Sequence, residues 1–583
     1  MNEGSMTSEE RDRRVLALYE RVLEIEQRLI PTGLHTFGKP AAAAETVHLL
    51  AMVASFPRPE LGLPALTDLI ASGLGLPPYD RLLEESPDSG ERMRERESVE
   101  SLTRETVRRL LAPGDQPERE TALWLQERAG APADSTLEIL AFLSGLNLRL
   151  QSNRELEGLV AGLRGNYLAP GPGGDLLQNP AILPTGRNTH AVNPYAIPSA
   201  LALRRAEPLS RALLERHQRE AGRVPESIAM VLWGIDNIKK EGEAVAQVLW
   251  LLGVRPVRDG LNRVTEVEAI PLEQLGRPRI DVVMTVSGIF RDLFASTMEL
   301  LDRAVKRVAA LEEPPERNFV RKHVRQQMAR DGSTFAEAAT RVFSNAAGNY
   351  GTNVNFMVLQ SQWEDARELG DLFVKRKCFA YGRDARGRPL EGMEAQALLD
   401  SALSRVEASY QNIDSTEVGI SDVDHYFEYL GGVTKAVEER SGKRPRVYLS
   451  DSLTPHSRVR TLQETLQLES RTKVLNPKWY EGMLKHGFSG VAEIEHQLTN
   501  TFGWSATADA VEDWIYDEVA ETFVLDSQML ERLQNLNPHS AQTLVGRLLE
   551  ASGRGFWSAR PEVLRRLREV FAGLEDALEG VAP

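Results

Sequence analysis

Along residues 11–152 the apolar positions recur three and four apart, as in Val15, Leu16, Tyr19, Val22, Leu23 and Leu29, with Glu and Arg between them. That period lines one stripe of a helix, so an α-helical region is predicted for residues 1–155. Residues 84–97 are densely charged with few apolar positions and read as a solvated helix face or a loop. Pro and Gly then crowd residues 168–198, which predicts a long connecting loop within 156–200. After it the period changes. Residues 227–233 (SIAMVLW) form a continuous apolar run of strand length, 238–252 a helix, 280–287 (IDVVMTVS) a second buried strand, and 290–311 another helix. Strands without polar alternation, separated by helices, predict a parallel α/β layer in residues 201–312. Residues 313–583 read as mainly helical with an embedded strand at 446–450 (RVYLS). The fold class is therefore α/β multidomain, a parallel layer flanked by large α-helical regions.

At 583 residues, with 42% hydrophobic and 26% charged positions, the chain can bury sizeable cores. A formal charge of −15 argues against broad nucleic-acid or anionic-membrane contact, which needs a basic footprint. The single cysteine, Cys378, excludes an internal disulfide, and no Cys/His cluster has zinc spacing. The first ten residues have neither a basic start nor an apolar run, and no apolar stretch approaches the roughly 18 residues that span a bilayer. A cytoplasmic location is expected, with peripheral membrane association left open.

Several segments carry candidate chemistry. Residues 33–40, GLHTFGKP, match G-x-x-x-x-G-K but place Pro40 where a Ser or Thr must ligate Mg²⁺, and they follow a helix, so no ATP site is expected. Gly73-Leu74-Gly75 lacks the third glycine of a dinucleotide loop. The densest polar constellation is Asp422-Val423-Asp424-His425. On a helix, Asp422 and His425 would share a face, and carboxylates with an imidazole can hold a hard cation and accept protons. The plainer alternative is a helix start, with Ser421 or Asp422 as cap and Asp424 at the positive dipole end. Arg187 and Asn188 follow a Pro-Thr-Gly turn, where a guanidinium can bind a carboxylate or pin its own loop. Residues 343–355, FSNAAGNYGTNVN, concentrate amides and glycines that could wrap a polar ligand or form turns. The aromatics Trp479, Trp504 and Trp514 read first as core and second as stacking surfaces for a flat ligand.

Taken in order, GLHTFGKP, LPTGRNTHAVNPYAIP, VLWGIDNIKKEGEAVAQVLWLLGVRPV, FSNAAGNYGTNVN, QNIDSTEVGISDVDHYF, LNPKWYEGML and TFGWSATADAVEDWIY resemble the large H subunit of magnesium chelatase, a relative of the cobaltochelatase large subunit. WGIDNIKKEG, NPKWYEGM and GWSATA resemble the magnesium branch more. The resemblance implies insertion of Mg²⁺ into protoporphyrin IX, the entry to chlorophyll or bacteriochlorophyll, with ATP hydrolysed by separate AAA+ motor subunits. It implies metal delivery by Asp422 and Asp424, proton acceptance by His425, and substrate contacts from Arg187, Asn188, Asn345, Tyr350 and Asn353. The family chain is much longer, and its front half has no counterpart in this sequence, so a separately encoded N-terminal half is an expected partner. The rival readings are a non-catalytic porphyrin-binding or motor-docking regulator and a cobaltochelatase large subunit.

Overall fold

The computed structural model describes residues 37–580 apart from 59–60, 83–88, 172, 174–175, 178, 190–192, 414, 416–417 and 452–457. The amphipathic stretch at 11–29 and the first half of GLHTFGKP lie outside the described residues. Two compact units are present, one containing His35–Ala191 and the other Val192–Ser452 with Ser457–Pro583. Among the described residues no helix is long and apolar enough to cross a membrane.

The first unit is helical. Ala43–Ala54, Leu66–Gly73, Ser89–Leu110, Pro117–Ala129 and Ala133–Gln151 close on a core that includes Leu50, Ile70, Val99, Val107, Leu125, Leu140 and Leu143. On Ala133–Gln151 the buried positions Thr136, Ile139, Leu140, Leu143 and Leu146 follow the helical period that the sequence shows. Gly130, at φ +69°, ends the helix before it and lies against Gly73, where a Cβ on either residue would meet backbone. The Pro/Gly-rich segment is ordered by a two-residue parallel pairing of Pro170–Gly171 with Asn188–Thr189 and a 3₁₀ turn at Pro180–Ile182. The helix Glu155–Leu163 occupies the start of the range expected to be loop.

The second unit is built on one eight-stranded sheet. Its strands are β1 (Ser227–Leu232), β2 (Asp281–Val286), β3 (Val342–Ser344), β4 (Phe379–Ala380), β5 (Met393–Glu394), β6 (Ala408–Ile413), β7 (Arg446–Asp451) and β8 (Arg458–Thr461). The order across the sheet is β8-β7-β6-β1-β2-β3-β4-β5. β7, β6, β1, β2 and β3 are mutually parallel, and antiparallel strands close both edges. β1, β2 and β6 are buried at every position, as helices on both faces require. The parallel layer is thus the one expected from residues 227–287, and the strand expected at 446–450 is β7, but β3 to β6 and β8 come from residues 342–461 that were read as helical. Two- and three-residue strands such as β4 and β3 are too short to display a period.

Two helices read as continuous are broken. In 238–252, Glu241 (φ +51°) and Gly242 (φ +86°) adopt left-handed conformations that separate Gly234–Lys239 from Glu243–Leu252. In 290–311, Gly288–Leu293 and Ala295–Ala310 meet at the buried Phe294, while Ser287 Oγ caps the first by accepting from Phe290 N at 3.1 Å. Both breaks let a short helix start directly at the carboxyl end of a parallel strand.

Candidate functional site at the carboxyl edge of the sheet

From β1, the chain builds outward through β2 and β3 on one side and through β6 and β7 on the other, so the strand order switches between β1 and β6. In open parallel sheets the crevice beyond the carboxyl ends at such a switch is where ligands bind. Trp233, the residue after β1, bridges this point. Its Nε1 donates to Gln411 Oε1 on β6 at 3.1 Å, and its ring packs on Tyr429 (4.6 Å between centroids) and Tyr426 (5.8 Å). Lys240 Nζ closes the end of β6 by donating to Ile413 O at 2.9 Å.

Tyr426 and Tyr429 belong to the segment that carries His425. A single helical turn, Asp424–Tyr426, runs into a π-helical turn, Phe427–Gly431, and then into Gly432–Ser441. Such π turns recur at functional sites. Here the turn places Glu428 inward, with its side chain 1% exposed, below His425, which is 56% exposed. His425 Nδ1 and Glu428 Oε2 are 2.7 Å apart. The other oxygen, Oε1, accepts from Thr352 N, from Asn353 N at 2.8 Å and from Thr352 Oγ1 at 3.0 Å. Burial pushes the Glu428 carboxyl up, but His425 and the two backbone N–H groups outweigh it and hold it below the usual range. The hydrogen bond that His425 donates to Glu428 raises its imidazole above the ordinary value, with the charges of Glu428 and Asp424 adding to it. An ionised carboxylate only accepts, so Nδ1 carries the proton and the neutral ring presents the lone pair of Nε2.

Asp424 lies beside this dyad, with Oδ1 3.7 Å from His425 Nδ1 and Oδ2 accepting from Asn355 Nδ2 at 2.6 Å. Asp422 does not share a helical face with His425. It precedes the helix, whose cap position is Val423, and neither Ser421 nor Asp422 caps it. Its carboxylate points inward to Lys473 and Gln497 and also accepts from Gly419 N. Burial pushes this carboxyl up against the pull of Lys473. The segment is strapped in place: Glu469 accepts from Ile420 N and Ser421 N, Asn500 Nδ2 donates to Ser421 O, and Trp504 Nε1 donates to Ile420 O. Trp479 and Trp504 are buried in the core, and Trp514 is half-buried with Nε1 on Glu512.

The amide-rich segment 343–355 also divides. Asn345 is buried and faces inward, its carbonyl O accepting from Tyr381 OH at 2.7 Å and its side chain spanning Lys377, Gly351 and Arg376. Arg291, also buried, donates to the carbonyls of Ala346 (2.7 Å) and Asn349 (2.9 Å) and so shapes the turn. Asn353 contributes its backbone, at φ +65°. Tyr350 is exposed, bonded to Asp292, and its ring covers Gly288 so closely that any Cβ there would collide with it. With Ile235 (50% exposed) and Ile289 (40%) it makes an apolar rim on the ends of β1 and β2.

Arg187 belongs to the other unit and pins its own loop, donating to Ala181 O (2.7 Å), Ile182 O (3.1 Å) and Pro184 O (3.2 Å). Asn188 lies in the short parallel pairing next to it. Gly38, in the GKP element, donates its N–H to Glu155 Oε2 at 2.6 Å. Sequence reasoning missed Glu428, Asn355 and Lys377. For Glu428 the His-x-x-Glu spacing was available, whereas Lys377 lies in an ordinary helix end with no distinguishing pattern. Among the described residues no three His, Cys, Asp or Glu side chains converge as a metal cage.

The family model described as CobN/Magnesium Chelatase matches residues 1–564. The chloroplastic magnesium-chelatase subunit ChlH of Oryza sativa subsp. japonica is 43% identical over 98% of this chain, and the magnesium-chelatase H subunit of Rhodobacter capsulatus is 47% identical over 74%. The catalytic subunit of cobaltochelatase from Mycobacterium tuberculosis superposes with a TM-score of 0.87 over 98% of the chain at 32% identity. The chain spans 43%, 36% and 47% of the lengths of these three proteins, less than half of each. The chain belongs to the CobN/magnesium chelatase family.

Proposed function

We propose that this chain is the metal-inserting portion of a tetrapyrrole chelatase subunit and that its reaction places Mg²⁺ in protoporphyrin IX. The observation that carries the reading is the His425–Glu428 dyad at the carboxyl edge of the sheet. Metal insertion replaces two pyrrole N–H protons with one Mg²⁺, so two protons must leave the macrocycle. An imidazole with its Nδ1 proton held by a buried carboxylate accepts such protons at Nε2, one at a time, and passes them to solvent. Mg²⁺ enters as substrate and gives up its waters reluctantly. Asp424, half-buried beside His425, is the carboxylate placed to take the position of a departing water. Asp422, engaged by Lys473 and Gln497, keeps a supporting role. Tyr350, Ile235 and Ile289 offer an apolar rim on which a flat macrocycle can lie.

The identities of 43% and 47% to magnesium-chelatase subunits, against 34% to the aerobic cobaltochelatase subunit CobN of Sinorhizobium sp, favour Mg²⁺ over Co²⁺. The work of stripping the cation is assigned to ATP hydrolysis by AAA+ motor subunits, and the assay adds, as a complementing polypeptide, the part of the longer relatives that this chain does not span. The test is metal insertion followed by porphyrin fluorescence, with this chain, the complementing polypeptide, the motor subunits, ATP and either Mg²⁺ or Co²⁺. Mg-porphyrin formation supports the reading. Co²⁺ insertion alone makes the chain a cobaltochelatase part, and porphyrin binding without insertion of either metal makes it a carrier or regulator.

A further inference from the structure

Lys377 does not touch the proposed reaction centre, yet it lies beneath it. It ends the helix Arg367–Lys377 and is completely excluded from solvent, and burial presses its amine well below the ordinary lysine range. A buried amine is tolerated where its hydrogens are used. Nζ donates to Val286 O, at the end of β2, at 2.9 Å and to Asn345 Oδ1, the residue after β3, at 2.8 Å, while the ring of Tyr429 covers it at 3.9 Å. With Oδ1 fixed on Lys377, the Asn345 amide must turn its Nδ2 the other way, and Nδ2 donates to Gly351 O and to Arg376 O (3.2 Å). Gly351, at φ +67°, leads directly into the Thr352 and Asn353 N–H groups that seat Glu428. A continuous set of hydrogen bonds thus runs from the ends of β2 and β3 to His425.

We propose that Lys377 is a positioning residue for metal insertion: through Asn345 it fixes the turn Gly351–Asn353 that seats Glu428, and thereby the imidazole of His425. The proposal rests on the reading of His425 as proton acceptor. It predicts dependence: once His425 is gone, nothing remains for Lys377 to position. A residue that merely fills the core would instead lower activity independently of His425.

The test is a double-mutant cycle in the complete chelatase assay, with Lys377→Met, His425→Ala and the double variant. kcat, the KM for porphyrin and the melting temperature are read for each. Misplacing a catalytic group by about 1 Å costs up to roughly 100-fold in rate, so kcat of Lys377→Met is expected to fall by roughly 10- to 100-fold. Its porphyrin KM should stay within about twofold of the parent, as for a group that acts on the chemical step. The double variant should be no slower than His425→Ala. Asn345→Ala breaks the same relay one residue nearer the site and serves as the cycle partner if Lys377→Met does not fold. Multiplicative losses in the double variant, or an unchanged kcat for Lys377→Met beside a slowed His425→Ala, overturn the relay alone. A wild-type rate for His425→Ala overturns the proton-acceptor reading and the relay with it.

Discussion

Replacing Glu428 by Gln probes the dyad with minimal change in shape. Both carboxylate oxygens are used: Oε1 accepts from Thr352 N, Asn353 N and Thr352 Oγ1, and Oε2 faces His425 Nδ1 at 2.7 Å. Gln has one acceptor oxygen where Glu has two. If that oxygen stays on the turn, the amide NH₂ confronts Nδ1, and the imidazole must move its proton to Nε2, which removes the lone pair needed for acceptance. If the oxygen faces His425 instead, the NH₂ opposes two backbone N–H groups and leaves buried donors unsatisfied, at about 1–3 kcal/mol each. The first arrangement is cheaper, so a folded protein with the wrong tautomer is expected. General-base catalysis contributes about 10²–10⁴-fold, and kcat should fall within that range. The charge that raises the His425 pKa is lost as well, so an NMR titration of this imidazole should show a lower pKa than in the parent. Because the base must be neutral, the acid limb of the parent pH–rate profile should lie above the ordinary histidine value of 6.5. Insertion by Glu428→Gln within about threefold of the parent rate, far outside that 10²–10⁴ range, would refute the reasoning.

Four further outcomes are expected. Asp422→Ala removes an acceptor of Gln497 Nε2 and Gly419 N and one ion-pair partner of Lys473, and should destabilise the protein by about 1–3 kcal/mol in urea unfolding, where a purely catalytic aspartate would leave the midpoint unmoved. Arg187→Ala should leave porphyrin affinity and insertion unchanged while speeding protease cleavage within 181–187, since among the described residues its guanidinium donates to carbonyls of its own loop. Ile289→Asp puts a charge on the apolar rim and should weaken porphyrin binding by roughly tenfold in a fluorescence titration, about the effect of losing one buried aliphatic contact. The fourth concerns the cluster at the other end of β2, where Asp281, Arg341 and His323 are buried and Glu226 is half-buried. Burial opposes charge there, but Arg341 and His323 hold Asp281 at about 2, and His323 and Lys322 hold Glu226 at about 2. Their stabilisation is present above the usual 3.8 and 4.5 and is lost as the pH falls toward about 2. The two carboxylates raise His323 despite its burial, so its contribution is full below 6.5 and is lost as the pH rises through its folded value. Urea midpoints should therefore peak between about 4.5 and 6.5, and His323→Gln should remove the loss on the alkaline side.

β6 (ASYQNI) is buried at every position but was hidden by Ser409, Gln411 and Asn412, whereas β1 and β2 were legible because they are covered on both faces and continuously apolar. The short strands β3, β4 and β5 were not, since two or three residues carry no period. The helix breaks at Glu241–Gly242 and Phe294 were hidden by apolar residues that run across them. At the site, residue type and crowding pointed to Asp424 and His425. They could not tell which neighbour turns inward, and that decides their chemistry: Glu428 faces His425, whereas Asp422 faces Lys473. The partner of Asp422 is 51 residues away in sequence and that of Asn345, Lys377, is 32 away, so no local pattern could reveal either. The tryptophans Trp479 and Trp504 followed the simpler core reading because burial of large apolar rings outweighs any surface role.

The most direct test of the central claim is single-turnover metal insertion, followed by Mg-porphyrin fluorescence, with wild-type chain and His425→Ala compared in the complete mixture of complementing polypeptide, motor subunits, Mg²⁺ and ATP. The account predicts Mg-porphyrin formation by the wild type and loss of that step in His425→Ala with porphyrin still bound. Equal rates of insertion by the two proteins would contradict it.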